Sequence, residues 1–420
     1  MRRMINNSNH LRDRSQRTGN SGRAGLALAM VILCLGSAGC GVEEFLMEPF
    51  RGETPRERYG EALDRAGLGE SLLVREWHRA GERALLGAVE VSAPLVEENW
   101  IAPDEPTALG YRLDLRRGER VQVEVRAEHT VQRVFIELYR DRPDDEDDDP
   151  LLVDWAADFE TGFVYDARAT GSYLLRVQPE LLGGGPLEVE IRVGASVAFP
   201  VQDRSTANVM SFFGDIRDGG ARDHHGVDIF APRGTPVLAA TAGTAYRVDV
   251  TARGGKVVWV RDGSGEIRSY YAHLDAQLVE EGEEVSVGDT LGLVGNTGNA
   301  ITTPPHLHFG IYVRRGGAVD PWPFLHEPPG EPPLLDVPRE AFNETFRIAL
   351  ERIPLRAGPF ASATELAELP RELSVRVIGG TGRWFRVRTA AGGEGYIAVD
   401  AVLPLDRELD PETRLAFAFQ

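Results

Sequence analysis

The chain has 420 residues, 42% of them apolar and 26% charged, and a formal charge of −19. That length exceeds one compact core, and the apolar fraction excludes global disorder, so several folded domains are expected. The acidic balance argues against nonspecific nucleic-acid binding, and two cysteines, Cys34 and Cys40, cannot supply a disulfide framework or a cysteine-ligated zinc site.

Residues 1–23 are polar and rich in arginine, Ala24 to Gly36 is apolar, and Gly36-Ser37-Ala38-Gly39-Cys40 is small. A basic stretch, a short apolar run and small residues make an export signal, too short for a stable membrane span. Ser37-Ala38-Gly39-Cys40 resembles the lipobox of bacterial lipoproteins, with serine where leucine is commoner. The resemblance implies a signal peptide over 1–39, lipidation of Cys40 and a membrane partner through that anchor. Gly41 is not the aspartate that often retains such lipoproteins in the inner membrane. Under Gram-negative rules the expected location is the outer membrane, facing the periplasm.

Residues 40–87 read as a helical linker region. Charged residues alternate with Leu63, Leu72, Leu73, Trp77 and Leu85 at helical spacing over 54–86, and Gly67 and Gly69 split the run in two. From 88 to 198 the period changes to two. Tyr111 to Leu115 alternates, Val121, Val123 and Val125 follow, and further short runs argue a β-sandwich. With "ATGSYLLRV" (169–177) the segment resembles the bacterial pre-peptidase C-terminal type of jelly roll. The acidic run 144–149 lacks the glycine and spacing of a calcium loop and reads as a solvated hairpin tip. Residues 200–326 form a glycine-rich unit of short strands. A linker over 327–352 contains the Pro-rich stretch 328–333 and a short helix around 338–351. Residues 353–405, with Leu355-Arg356-Ala357-Gly358-Pro359, Trp384-Phe385-Arg386-Val387 and Gly395-Tyr396-Ile397, resemble the bacterial Src-homology-3-type barrel of cell-wall enzymes. That resemblance implies wall binding or targeting, with Trp384 and Tyr396 either part of it or simply core. The expected fold class is mainly β: a sandwich, a central antiparallel sheet, a small C-terminal barrel and short helices between.

Five of the nine histidines fall between 224 and 308. His306 and His308 lie in an apolar, β-prone run, and side chains two apart on a strand share a face. His224 and Asp228 are four apart across Gly226. Imidazole and carboxylate are ordinary zinc ligands, and this pair with one of His306 and His308 makes a three-ligand set. Such a set leaves the fourth tetrahedral position open, as in catalytic sites. No HExxH motif supplies a glutamate base, so an imidazole is the expected proton acceptor at neutral pH. His225 points to the other side of an extended segment and reads as a solvent residue.

At this point residues 211–325 resemble the catalytic domain of lysostaphin-type zinc metallopeptidases. The carrying text is "HHGVDIFAPRGTPVLAATAGTA", "YYAHL", "VSVGDTLGLVGNTGNA" and "PPHLHFGIY". The resemblance implies an antiparallel β fold, a Zn2+ cofactor held by His224, Asp228 and His308, and catalytic roles for His306 and His273. It further implies a zinc metalloendopeptidase acting on stem or cross-link peptides of peptidoglycan. Some relatives have lost ligands and only activate wall amidases, so a catalytically silent regulator is the alternative. A D-alanyl-D-alanine carboxypeptidase would place the carboxylate seven positions after the first histidine, against four here.

Overall fold

In the computed structural model, residues 52–127, 133–142, 149–327 and 330–405 are described. The signal segment, Cys40 and residues 144–148 of the acidic run lie outside them. The described chain is mainly β, and its strands pair almost wholly antiparallel. None of its helices is long and apolar enough to cross a membrane.

Two helices open it, α1 (Pro55–Arg65) and α2 (Leu72–Leu86). Thr54 caps α1 in a reciprocal box with Glu57, and Pro55 takes the first turn, where its missing N–H costs nothing. The expected break falls at Gly67, whose φ of 76° suits glycine. Far from spacing domains apart, the helices pack on a sheet. Trp77 is 1% exposed, and its indole N–H donates to the Pro179 carbonyl at 2.9 Å. Thr54 Oγ1 donates to the buried Glu137 carboxylate at 2.8 Å. Gly110 permits the closest approach: a Cβ there would sit 1.7 Å from the Ala84 carbonyl oxygen of α2.

That sheet has five strands, in the order Val89–Glu90, Leu109–Leu115, Gly171–Pro179, Val134–Arg140 and Leu151–Trp155. A second layer runs Leu95–Ile101, Gly185–Ala195, Glu119–Ala127 and Gly162–Asp166. Val121, Val123 and Val125 alternate into the shared core, as their period requires.

The second layer does not stop at Leu95–Ile101. That strand also pairs with Ser374–Thr381 of the C-terminal barrel, Glu98 opposite Gly380 and Asn99 opposite Gly379, so one eleven-stranded sheet joins the two. Gly379 is needed there, since a Cβ would meet Asn99 Oδ1 at 2.6 Å. A buried polar cluster lies at the join. Glu97, fully enclosed, accepts from the Tyr396 hydroxyl at 2.5 Å, the Tyr111 hydroxyl at 2.6 Å and Arg386 Nη1 at 3.1 Å. Burial and the adjacent carboxylate push both phenols up. Tyr396 is therefore interior, and Trp384 packs half-buried against the sandwich core.

The expected helix at 338–351 is not formed. A 3-10 turn, Arg339–Ala341, is followed by the strand Thr345–Ile348. Asn343 stands at φ 67°, a left-handed conformation that ends a helix. The strand then pairs with both Ser374–Thr381 and Val402–Pro404.

The central unit is an eight-stranded sheet. Its order is Val209–Ser211, Val227–Phe230, His306–Val313, Ile267–Leu274, Gly255–Asp262, Gly243–Thr251 and Glu283–Val285, with Gly317–Val319 on the side of His306–Val313. A three-stranded sheet of Pro236–Leu238, Thr290–Leu293 and Ala276–Gln277 accompanies it. Val227, Ile229, Val258, Tyr271, Leu307 and Phe309 are buried together in its core. Side chains alternate, so Asp228, His308 and Tyr270 lie on the opposite face. The short helix α3 (Trp322–Leu325) closes the unit, and its Phe324 ring lies under Gly118 of the sandwich, where a Cβ would come within 2.2 Å.

Candidate metal centre

Strand pairing assembles the centre. Asp228 lies directly opposite His308, which pairs on its other side with Ala272. His224 precedes the strand Val227–Phe230, and Gly226 lets this segment press against its neighbour. A Cβ at 226 would be 2.5 Å from the Phe309 carbonyl oxygen and 2.8 Å from His308 Cε1.

Three donor atoms converge. His224 Nε2 is 3.0 Å from Asp228 Oδ1 and 2.9 Å from His308 Nδ1, and His308 Nδ1 is 3.0 Å from Asp228 Oδ1. These are the residues expected from sequence to hold metal, and they form a group able to do so. His224 Nδ1–H donates to the Phe212 carbonyl at 2.8 Å, so Nε2 is the atom turned toward the carboxylate, and in the neutral tautomer it offers a lone pair there. One shared proton could relieve only one of the three contacts, whereas a divalent cation satisfies all three lone pairs. In a tetrahedral zinc site with bonds of about 2.0–2.2 Å the donors sit about 3.3–3.6 Å apart, so the set would take the ion after each pair opens by about 0.3–0.7 Å. Burial works to raise the Asp228 carboxyl, but His224 and His308 outweigh it and hold the group ionised far below the usual carboxylate range.

His306 and His273 stand beside the triad. His306 Nδ1–H donates to the Pro304 carbonyl at 2.9 Å, which turns Nε2 toward the triad, 4.0 Å from Asp228 Oδ1. His273 Nδ1–H donates to the Thr297 carbonyl at 2.9 Å, and its ring is 5.1 Å from that of His306. Its backbone has φ 63°, a conformation in which histidine is enriched among non-glycine residues. Burial first, then the neighbouring imidazoles, lower the His273 pKa to about 4, so the ring is neutral near pH 7. His225 is exposed and stacks on Phe213 away from the donors. His326 stacks on Trp322.

Arg217 is the residue that sequence reasoning missed. Its Nη2 donates to Asp228 Oδ2 at 2.8 Å and to the Ser211 hydroxyl, and lies 3.1 Å from His224 Nδ1. By occupying Oδ2 it leaves Oδ1 to face the metal position. Nothing in its spacing separates it from the chain's many other arginines.

Two imidazoles and one carboxylate on a mainly β unit make a donor set of the composition found in catalytic zinc sites. Residues 222–321 match Peptidase family M23, and residues 351–402 match the bacterial SH3 domain. The chain carries a family M23 domain and a bacterial SH3 domain, and zinc is the metal of that peptidase family. Among similar curated proteins, an uncharacterized metalloprotease of Haemophilus influenzae is 35% identical over 158 residues, which is 37% of this chain and 31% of that protein. An L-Ala–D-Glu endopeptidase of Bacillus subtilis is 36% identical over 139 residues, 30% of this chain and 42% of that protein. A peptidoglycan DD-endopeptidase of Vibrio cholerae is 38% identical over 95 residues, 23% of this chain and 21% of that protein. The chain thus spans well under half the length of each of these relatives.

Proposed function

We propose that this chain is a zinc-dependent endopeptidase that hydrolyses stem or cross-link peptide bonds of peptidoglycan. The observation that carries the reading is the triad of donor atoms 2.9–3.0 Å apart, with the Nε2 atom of a further imidazole 4.0 Å from the shared carboxylate oxygen. His224, Asp228 and His308 would hold Zn2+. When bound, the ion acidifies water and polarises the scissile carbonyl. His306 Nε2, its tautomer set by Pro304, takes the proton of the attacking water and returns it to the leaving amine. His273, kept in place by Thr297 and uncharged, presents an Nε2 lone pair that helps orient and activate the attacking water. Arg217 keeps the Asp228 carboxylate in one orientation.

The rest of the reading concerns place. Export through residues 1–39, lipidation at Cys40 and an outer-membrane location facing the periplasm would bring the site to the wall. Residues 88–198 would serve as a pre-peptidase C-terminal type module, and the C-terminal barrel would contribute to wall binding.

The test is digestion of purified sacculi by the zinc-loaded chain, with and without chelator, followed by mass spectrometry of the released muropeptides. Chelator-sensitive release of cross-link or stem fragments is expected. Undigested sacculi would overturn the enzymatic reading in favour of the silent regulator.

A further inference from the structure

The face of the central sheet that carries Asp228 and His308 continues beyond them as a band of aromatic rings. Tyr270 lies 5.7 Å from the His308 ring, Trp259 4.4 Å from Tyr270, Tyr312 5.0 Å from Trp259, and Tyr246 6.3 Å from Trp259, centroid to centroid. All four residues are half-buried and so keep part of their surface in contact with solvent. Strand register explains the continuity: Ala272 opposes His308, Tyr270 opposes Gly310 and Trp259, and Arg268 opposes both Tyr312 and Arg261. Gly310 keeps the floor flat between His308 and Tyr312, since a Cβ there would lie 3.0 Å from the His225 carbonyl and 3.2 Å from the Tyr312 ring.

The band ends in positive charge. Arg261 is exposed, its guanidinium 5.8 Å from the Tyr246 centroid, and Arg268 is half-buried beside the same ring. Neither forms an ion pair with a described residue. The nearby acidic groups are engaged elsewhere: Asp249 with Arg247 and Glu266 with Arg314. Four residues along a strand carry this end about 13 Å from the metal ligands, within reach of one extended peptide.

We propose that this band is a binding site for a carboxylate-bearing peptide, with the chain of the peptide lying on the rings and a free carboxylate held by Arg261 and Arg268. The inference rests on the endopeptidase reading for what occupies the metal end. Aromatic rings offer large apolar contact at little loss of side-chain freedom. Guanidinium groups match a carboxylate in planar, paired geometry, which an amide cannot reproduce. The site therefore favours stem peptides whose carboxylates are free over the same peptides with those groups amidated.

Two synthetic stem peptides, free acid and amide, test this. Their binding is measured by calorimetry on the zinc-loaded full chain carrying His306→Ala, so that the peptide persists. The free acid is expected to bind about tenfold more tightly, the sum of two partly exposed charge contacts. Added salt should erode the preference, and Arg261→Gln with Arg268→Gln should bring it within about twofold. Trp259→Leu should weaken both peptides alike, by about fivefold. Equal binding of the two peptides by the arginine-bearing chain, or a preference indifferent to salt, overturns the proposal without any need of the arginine variant. Hydrolysis by the chain with His306 intact judges the endopeptidase reading separately. Cleavage of both peptides with equal binding overturns only the present inference. A tenfold binding preference supports the band whether or not either peptide is cut, and undigested sacculi overturn the enzymatic reading alone.

Discussion

Replacing Gly226 by alanine tests whether close strand approach builds the metal centre. The added methyl would lie 2.8 Å from His308 Cε1 and 2.9 Å from its Nε2, while ordinary contact begins at 3.4 Å. The ring would have to retreat by about 0.5–0.6 Å, more than the roughly 0.2 Å tolerance of a metal–ligand bond. It cannot be spared by moving the backbone instead, because the methyl also meets the Phe309 carbonyl at 2.5 Å. Displacing a ligand through its supports costs about 10–100-fold in metal affinity, and the overpacking about 1–3 kcal/mol of stability. Competition with a chelator of known zinc affinity reads the first quantity, and denaturant unfolding of the metal-free chain reads the second. Gly194→Ala is the control, since its methyl would meet nothing nearer than 3.9 Å. If Gly226→Ala bound zinc as tightly as the parent and unfolded at the same denaturant concentration, the geometric account of the triad would be wrong.

Asp228→Ala and His308→Ala should lose bound zinc and sacculus digestion together, read by elemental analysis and muropeptide release. His306→Ala should keep zinc yet slow turnover about 10²–10⁴-fold, the usual share of a general base; brisk digestion by that variant would remove His306 from the proton-transfer role. Arg386→Met strands the enclosed Glu97 carboxylate and should cost about 3–5 kcal/mol of unfolding free energy, most of which should be recovered when Glu97→Leu, Tyr111→Phe and Tyr396→Phe are added so that no buried partner is left unpaired. Cys40→Ser should move the protein from membrane to soluble fractions, and unchanged retention would count against a lipid anchor.

The centre was legible because its chemistry is confined to a few residue types at short spacing. His306 and His308 share a face by strand alternation, and the His224–Asp228 pair needs only Gly226 between them to fold onto that face. The sandwich strands were legible for the same reason, since Val121, Val123 and Val125 show their period locally. The apolar residues Phe342, Phe346, Ala349 and Leu350 mimic a helical stripe, but Asn343 leaves the helical region and the strand partners of Thr345–Ile348 come from elsewhere in the chain. Local propensity loses to such distant pairing. The join between Glu98 and Gly380 was equally hidden, because nothing in either segment names a partner so remote in sequence. Glu97 and Arg386 look like surface charges in alternating strands until the two modules meet over them.

The continuous sheet has a topological consequence. Residues before 199 and after 330 contribute strands to one framework, so the peptidase unit is an excursion from it whose entry and exit lie side by side. Ser196 and Val197 N–H both donate to the Phe324 carbonyl, at 3.1 and 3.2 Å. The two ends of this unit are clasped together at the scaffold, and another domain with closely spaced ends could be spliced there without unpicking a strand of the support.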